Sequence, residues 1–169
     1  MIIQVSELQD EGLDLSGVHQ FASPYADPSW RLDEVRLHLE RDGVDVVVNG
    51  DIAATVPQTC GRCLEAFPAS VRAVVDLRLA PRPTSHSNVE LAADDLDVDF
   101  YADDQLDLNG LIETETTLAL PMKPLCRDEC RGLCPVCGGN RNSERCSCDA
   151  RPVDPRLAVL KDWAGRSRD

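Results

Sequence analysis

With 169 residues, 43% of them hydrophobic but only 4% aromatic, the chain has room for one ordinary domain, or one domain and a small appendage, around an aliphatic core. Its net charge of −13 is unevenly spread: residues 1–122 hold seven bases against 23 acids, and residues 123–169 hold ten bases against seven acids. The acidic part repels phosphate, and no run approaches the roughly 20 apolar residues that a membrane-spanning helix needs.

The N-terminal MIIQVSELQDEG lacks the positive start and apolar run of a signal peptide, so the expected location is cytoplasmic. The first 30 residues read as irregular, broken by Ser23-Pro24 and Asp27-Pro28, with a short apolar patch at Leu13–Val18. Strand signals follow. Val35, Leu37 and Leu39 alternate with polar residues up to Arg41, and Asp42-Gly43 suits a hairpin turn. Val44, Val46 and Val48 resume the alternation, which runs through Ile52, Ala54 and Val56 past a kink or second turn at Asn49-Gly50. Val71, Ala73, Val75, Leu77 and Leu79 form another half-buried strand.

Pro81 and Pro83 end this section and open a polar loop. Between Glu90 and Glu115 there are ten acids and no base. That run reads as a solvated face or as a docking surface for a basic partner. A calcium loop is disfavoured, because DLDVDFYADDQLD lacks the glycine and the final Glu of an EF-hand. Leu96, Val98 and Phe100 alternate like a strand, whereas Leu108, Leu111, Ile112, Glu115 and Leu118 follow helical spacing until Pro121. DPRLAVLKDW, with Pro155 in its first turn, predicts a second short helix. The expected class is α+β: an antiparallel sheet of about five strands, open or closed into a barrel, with helices near 109–120 and 155–163. The expected domains are an acidic, mainly β part over 1–122 and a basic, Cys-rich zinc unit with a C-terminal helix over 123–169.

The cysteines carry the chemistry. Six of the eight fall within residues 126–148, and the other two form CGRC at 60–63. Reduced cytosolic thiols in close pairs point to metal rather than disulfides. Cys134, Cys137, Cys146 and Cys148 can close one tetrahedral zinc site, with Gly138-Gly139 letting amides approach the sulfurs. Cys60, Cys63, Cys126 and Cys130 make a second set of four, although cross-pairings stay open at this point. A redox CxxC at Cys60 lacks the βαβ context of a thioredoxin-type site, and the spacings match neither familiar ferredoxin pattern. One or two structural zinc ions are expected, since four thiolates leave no open position for substrate.

The sequence CGRCLEAF at 60–67, LALPMKPLC at 118–126, CRGLCPVCGGNRN at 130–142 and DPRLAVL at 154–160 together resemble the YceD family, the large ribosomal RNA subunit accumulation proteins. The resemblance covers roughly residues 13–163. It implies a bacterial or plastid factor, not known as an enzyme, needed for normal accumulation of large-subunit (23S) rRNA, whose gene often neighbours that of a small basic ribosomal protein. Family members without the terminal cysteines generally keep the first CxxC and a ligand-capable residue after the LALP segment, which supports pairing Cys60/Cys63 with Cys126/Cys130.

Three function classes follow. The first is a non-enzymatic ribosome-biogenesis factor that binds rRNA or its precursor, a basic ribosomal protein, or both. Its candidate RNA contacts are Arg127, Arg131, Arg141, Arg145 and Arg151, the basic residues around the zinc unit. The alternative is a zinc- or thiol-redox-responsive regulator. Catalysis is not expected: His19, His38 and His86 are scattered, and neither a Ser/His/Asp signature nor a Gly-rich phosphate loop appears, so no small-molecule substrate is assigned.

Overall fold

Residues 31–81 build three long strands because their apolar residues recur at every second position, which turns one face of each strand inward. The computed structural model describes residues 1–9, 11–21, 23–83, 98–148 and Arg156. In chain order the elements are β1 (Ile2–Gln4), β2 (Leu13–Ser16), β3 (Arg31–Asp42), β4 (Asp45–Thr59), β5 (Ala66–Pro81), β6 (Val98–Tyr101), β7 (Gln105–Asp107) and α1 (Leu108–Leu118), with 3₁₀ turns at Val5–Glu7 and Val18–Gln20. Five strands form a sheet in the order β2-β3-β4-β5-β6, and β1 pairs antiparallel with β7 in a second, two-stranded sheet. No helix among the described residues is long and apolar enough to cross a membrane.

The chain divides into two compact units. The first is Met1–Gln58 with Ala66–Pro124, and the second is Thr59–Glu65 with Leu125–Asp169. The core of the first unit is aliphatic, as the composition requires. Val35, Leu37 and Leu39 of β3 meet Val46, Val48, Ile52, Ala54 and Val56 of β4 and Val71, Ala73, Val75 and Leu79 of β5, all buried. Each fully buried Val or Leu contributes roughly 1.5–3 kcal/mol relative to an exposed one. Helix α1 adds Leu108, Leu111 and Ile112 to the same core. Asp107 caps its first turn by accepting the Asn109 amide N–H at 3.1 Å. Thr116 is buried on the same helix face, and its hydroxyl shares a 3.1 Å hydrogen bond with that of Tyr25, so neither polar group is orphaned.

Several expectations need correction. The class is not α+β with two short helices: the described residues are mostly β, with one α-helix, because only 108–118 combines helical spacing with a core to pack on. The second helix, expected at 155–163, falls outside the described residues apart from Arg156. The sheet is not wholly antiparallel either. β6 joins β5 in parallel, with Arg78 opposite Val98 and Pro81 opposite Tyr101, and among the described residues β2 and β6 stand at the two ends of the five-strand order, with no pairing between them. Within the reputedly irregular first 30 residues, β1 and β2 form by pairing with strands far along the chain, Ile3 with Leu106 and Leu15 with Leu37. The β3–β4 turn uses Gly43 and Val44, so Val44 is 68% exposed rather than inward-facing. Leu118 is exposed as well, and Thr116 takes the inner position.

No second turn interrupts β4 at Asn49-Gly50. Gly50 instead lies opposite Leu37, with φ of 156°, and a Cβ there would stand 2.0 Å from the Arg36 carbonyl oxygen. Only glycine permits so close a strand approach. Gly50→Ala is therefore expected to cost about 2 kcal/mol or more, lowering Tm by roughly 4–8 °C in thermal melts of a domain this size. A melt within a degree of the parent would mean that the strands can separate there at no cost.

Candidate metal centres

The second unit has no apolar core among its described residues to hold it. Among its described residues the buried side chains are the sulfurs of Cys60, Cys63, Cys130 and Cys134, whereas Leu64 and Val136 are more than half exposed. So short a segment cannot gather enough apolar surface to offset the entropy of ordering it.

Its first sulfur cluster joins two stretches distant in sequence. Cys60 and Cys63 lie in the loop from β4 to β5, closed by hydrogen bonds from the Cys60 amide to the Glu65 carbonyl (2.9 Å) and from the Leu64 amide to the Cys60 carbonyl (3.0 Å). Cys126 and Cys130 follow α1, and the Cys130 amide donates to the Arg127 carbonyl at 3.1 Å. The Cys60 and Cys130 sulfurs come within 3.8 Å, and those of Cys63 and Cys126 within 3.7 Å. A disulfide requires about 2.05 Å. Four sulfurs about 2.3 Å from one tetrahedral ion, by contrast, stand about 3.8 Å apart. All four sulfurs lie within 4.8 Å of one another, as do those of Cys134, Cys137, Cys146 and Cys148 in a second cluster. Both groups can hold a metal ion. They differ in shelter: in the second cluster only Cys134 is buried, and the other three cysteines are exposed.

Each cluster ionises unevenly. The amides of Cys126, Cys63 and Arg62 point at the Cys60 sulfur and hold its pKa down to about 6. The amides of Cys137 and Val136 do the same for Cys134, also to about 6. Gly138 and Gly139 act differently from expectation: they close the turn through main-chain bonds with Cys134, at 2.9 and 2.8 Å. At the other extreme, burial and the adjacent sulfurs of Cys60, Cys63 and Cys130 push Cys126 up to about 12. Cys148 is pushed to about 12 as well, chiefly by the Cys137 sulfur. Four sulfurs this close cannot all be anionic unless a cation sits among them.

Polar side chains with no bracing role assigned from sequence hold the first cluster. Arg62 donates from one guanidinium nitrogen to the carbonyls of Asp128 (2.9 Å) and Cys130 (3.0 Å). Asn142 donates to the Cys130 sulfur at 3.3 Å and accepts the Arg131 amide N–H at 2.8 Å, while Asn140 donates to the Glu65 carboxylate at 2.8 Å. The Asn-Arg-Asn run after CPVCGG was the available signal, but asparagine in a loop normally indicates only a turn. Gly132 is needed for closeness: its φ is 68°, and a Cβ would meet the Arg62 carbonyl oxygen at 2.9 Å. Of the arginines expected around this unit, Arg127, Arg131, Arg141 and Arg145 are exposed, and Arg151 lies outside the described residues.

The sequence model of the YceD family, described as large ribosomal RNA subunit accumulation protein YceD, matches residues 48–163. The chain belongs to the YceD family. An uncharacterised protein of Mycobacterium tuberculosis is 31% identical to this YceD-family chain over 166 residues, covering 94% of the chain and 70% of the relative. A Mycobacterium leprae relative is 33% identical over 126 residues, 75% of this chain and 56% of its own. A maize protein named large ribosomal RNA subunit accumulation protein YCED homolog 1, chloroplastic, is 26% identical over 139 residues, 68% of this chain and 47% of its own. No solved structure matches the chain.

The difference in shelter between the clusters has a direct readout. Brief alkylation at neutral pH, followed by peptide mass spectrometry, is expected to modify Cys137 and Cys146 first and Cys60, Cys63 and Cys130 last. Equal labelling of all eight would contradict the folded arrangement.

Proposed function

We propose that this YceD-family chain is a non-catalytic factor for large-subunit rRNA accumulation, whose second unit is folded around two zinc ions. The observation that carries the metal half is a unit whose buried side chains, among its described residues, are sulfurs with spacings that suit a tetrahedral ion. Cys60, Cys63, Cys126 and Cys130 would hold one zinc, and Cys134, Cys137, Cys146 and Cys148 the other. Zinc supplies cross-linking here rather than reactivity, because four thiolates leave no position for water or substrate.

The partner is rRNA or its precursor, a basic ribosomal protein, or both. A Zn²⁺ held by four thiolates leaves a charge of about −2, so the arginines of the second unit first offset the clusters themselves. RNA contact therefore depends on where Arg127, Arg131, Arg141 and Arg145 project, not on net charge. The protein half of the reading draws on the first unit. There Asp99, Asp103, Asp107 and Glu115 line a groove of about 370 Å³ beside α1, with no basic residue in its lining. Burial there, with Asp99 nearby, pushes the Glu115 carboxyl up. A cationic side chain from a partner would relieve both effects.

Depleting the protein is expected to lower large-subunit rRNA selectively relative to small-subunit rRNA. An unchanged ratio sinks the proposal. Replacing Arg131, Arg141 and Arg145 together by Ser should weaken RNA binding by about tenfold or more at moderate salt, and binding that persists unchanged removes the RNA half. Metal analysis should find two zinc ions per chain. Because protons held on Cys126 and Cys148 must leave before all four sulfurs of a cluster ligate, apparent zinc affinity should fall by at least about tenfold from pH 8 to pH 6. An affinity flat across that range would show that thiolates are not the ligands.

A further inference from the structure

The segment between Cys137 and Cys146 belongs by sequence to the second cluster, yet its side chains serve the first. Asn142 is pinned in a single orientation. Its Oδ1 accepts the Arg131 amide N–H at 2.8 Å, while its Nδ2 donates both to the Cys130 sulfur at 3.3 Å and to Asn140 Oδ1 at 2.9 Å. Flipping the amide would set its oxygen against a thiolate and its NH₂ against an N–H donor, so the network itself fixes the assignment. Asn140 holds Glu65 on the loop that carries Cys60 and Cys63. The connection runs the other way too. Only Arg131, Gly132 and Leu133 separate Cys130 from Cys134, and this spacer is held on both sides: the Leu133 amide donates to the Arg62 carbonyl, and the Arg141 amide to the Gly132 carbonyl, each at 3.0 Å. Leu133 also bridges to Asn140 as a one-residue antiparallel pair.

We propose that the two four-cysteine sites load metal as a coupled pair, with Asn142 as the positioning residue that carries the coupling. Closing the second site orders the 138–145 loop and so sets Asn142 against the Cys130 sulfur. Closing the first site fixes Cys130 and the spacer, and so sets Cys134. Each event thereby removes part of the ordering cost of the other, and thermodynamic linkage makes the effect reciprocal. A hydrogen-bond donor to a ligating sulfur also offsets thiolate charge and fixes ligand orientation, and removing such partners typically costs about 10- to 100-fold in metal affinity. Asn142 is a ligand to neither site.

This inference rests on the metal reading above, and one experiment separates the two. The reduced, metal-free full-length chain is titrated with Zn²⁺ in a zinc-buffering chelator, and chains with zero, one and two ions are counted by native mass spectrometry at half-loading. Two equal independent sites place about half the chains in the one-metal state, and unequal sites place more there. Coupling of about 10- to 100-fold lowers that share to between about a quarter and a tenth. Asn142→Ala is expected to raise the one-metal share to half or more while both sites still fill at excess zinc. Asn142→Asp keeps an acceptor for the Arg131 amide but turns the donor facing Cys130 into a carboxylate, so it should abolish coupling with the loop still tethered. Zinc uptake with the same one-metal share in the parent and both variants overturns the coupling and leaves the metal reading standing. Absence of any zinc-bound species overturns both.

Discussion

Four sulfurs must meet within a few ångströms although they come from segments more than sixty residues apart, and the second unit depends on that meeting. Elsewhere in the chain, apolar side chains do this work: β3, β4, β5 and α1 bury a shared layer of Val, Leu and Ile. The second unit has nothing equivalent among its described residues, only buried cysteines and hydrogen-bonded loops. Metal–thiolate bonds are strong enough to replace a core in a small fold, and both four-cysteine groups are spaced to form them. The tight loop turns, the left-handed glycine at 132 and the Arg62 contacts to carbonyls follow from packing main chain, rather than side chains, around sulfur.

That construction has an electrostatic consequence. Gathering thiolates concentrates negative charge in a region whose sequence looks basic, and the arginines around it must first answer that charge. Among the described residues of the first unit the acids stay out of the core, which takes no ionised group. Its surface ion pairs, such as Arg78 with Asp42 and Asp45, contribute little to stability at such exposure. The protein thus offers partners an acidic surface on one unit and projecting arginines on the other.

How much of this was legible depends on how local each signal was. The inner faces of β3, β4 and β5 could be read directly, because alternation is a property of neighbouring residues and Val35, Val48 and Val75 each announce it. The helix at Leu108–Leu118 was legible for the same reason, down to its Pro121 stop. Val44 and Leu118 misled, since each continues an apolar rhythm one step past the point where the chain turns away. β1, β2 and the parallel placement of β6 were not legible: three or four residues carry no usable period, and their partners lie far along the chain.

By itself, then, the sequence determined the aliphatic core of the long strands, the eight cysteines of the two candidate metal centres and the family. Those properties reside in composition, short-range period and motif spacing. The grouping of Cys60/Cys63 with Cys126/Cys130 was already expected from the motifs and the family resemblance, and the structure brings those four sulfurs within 4.8 Å of one another. Only the tertiary structure decided that β6 lies parallel to β5 and that Asn142 of one cysteine loop braces a sulfur of the other cluster. Contacts between distant segments are fixed by which loop conformations close around a shared centre, and no local pattern of residues encodes that closure.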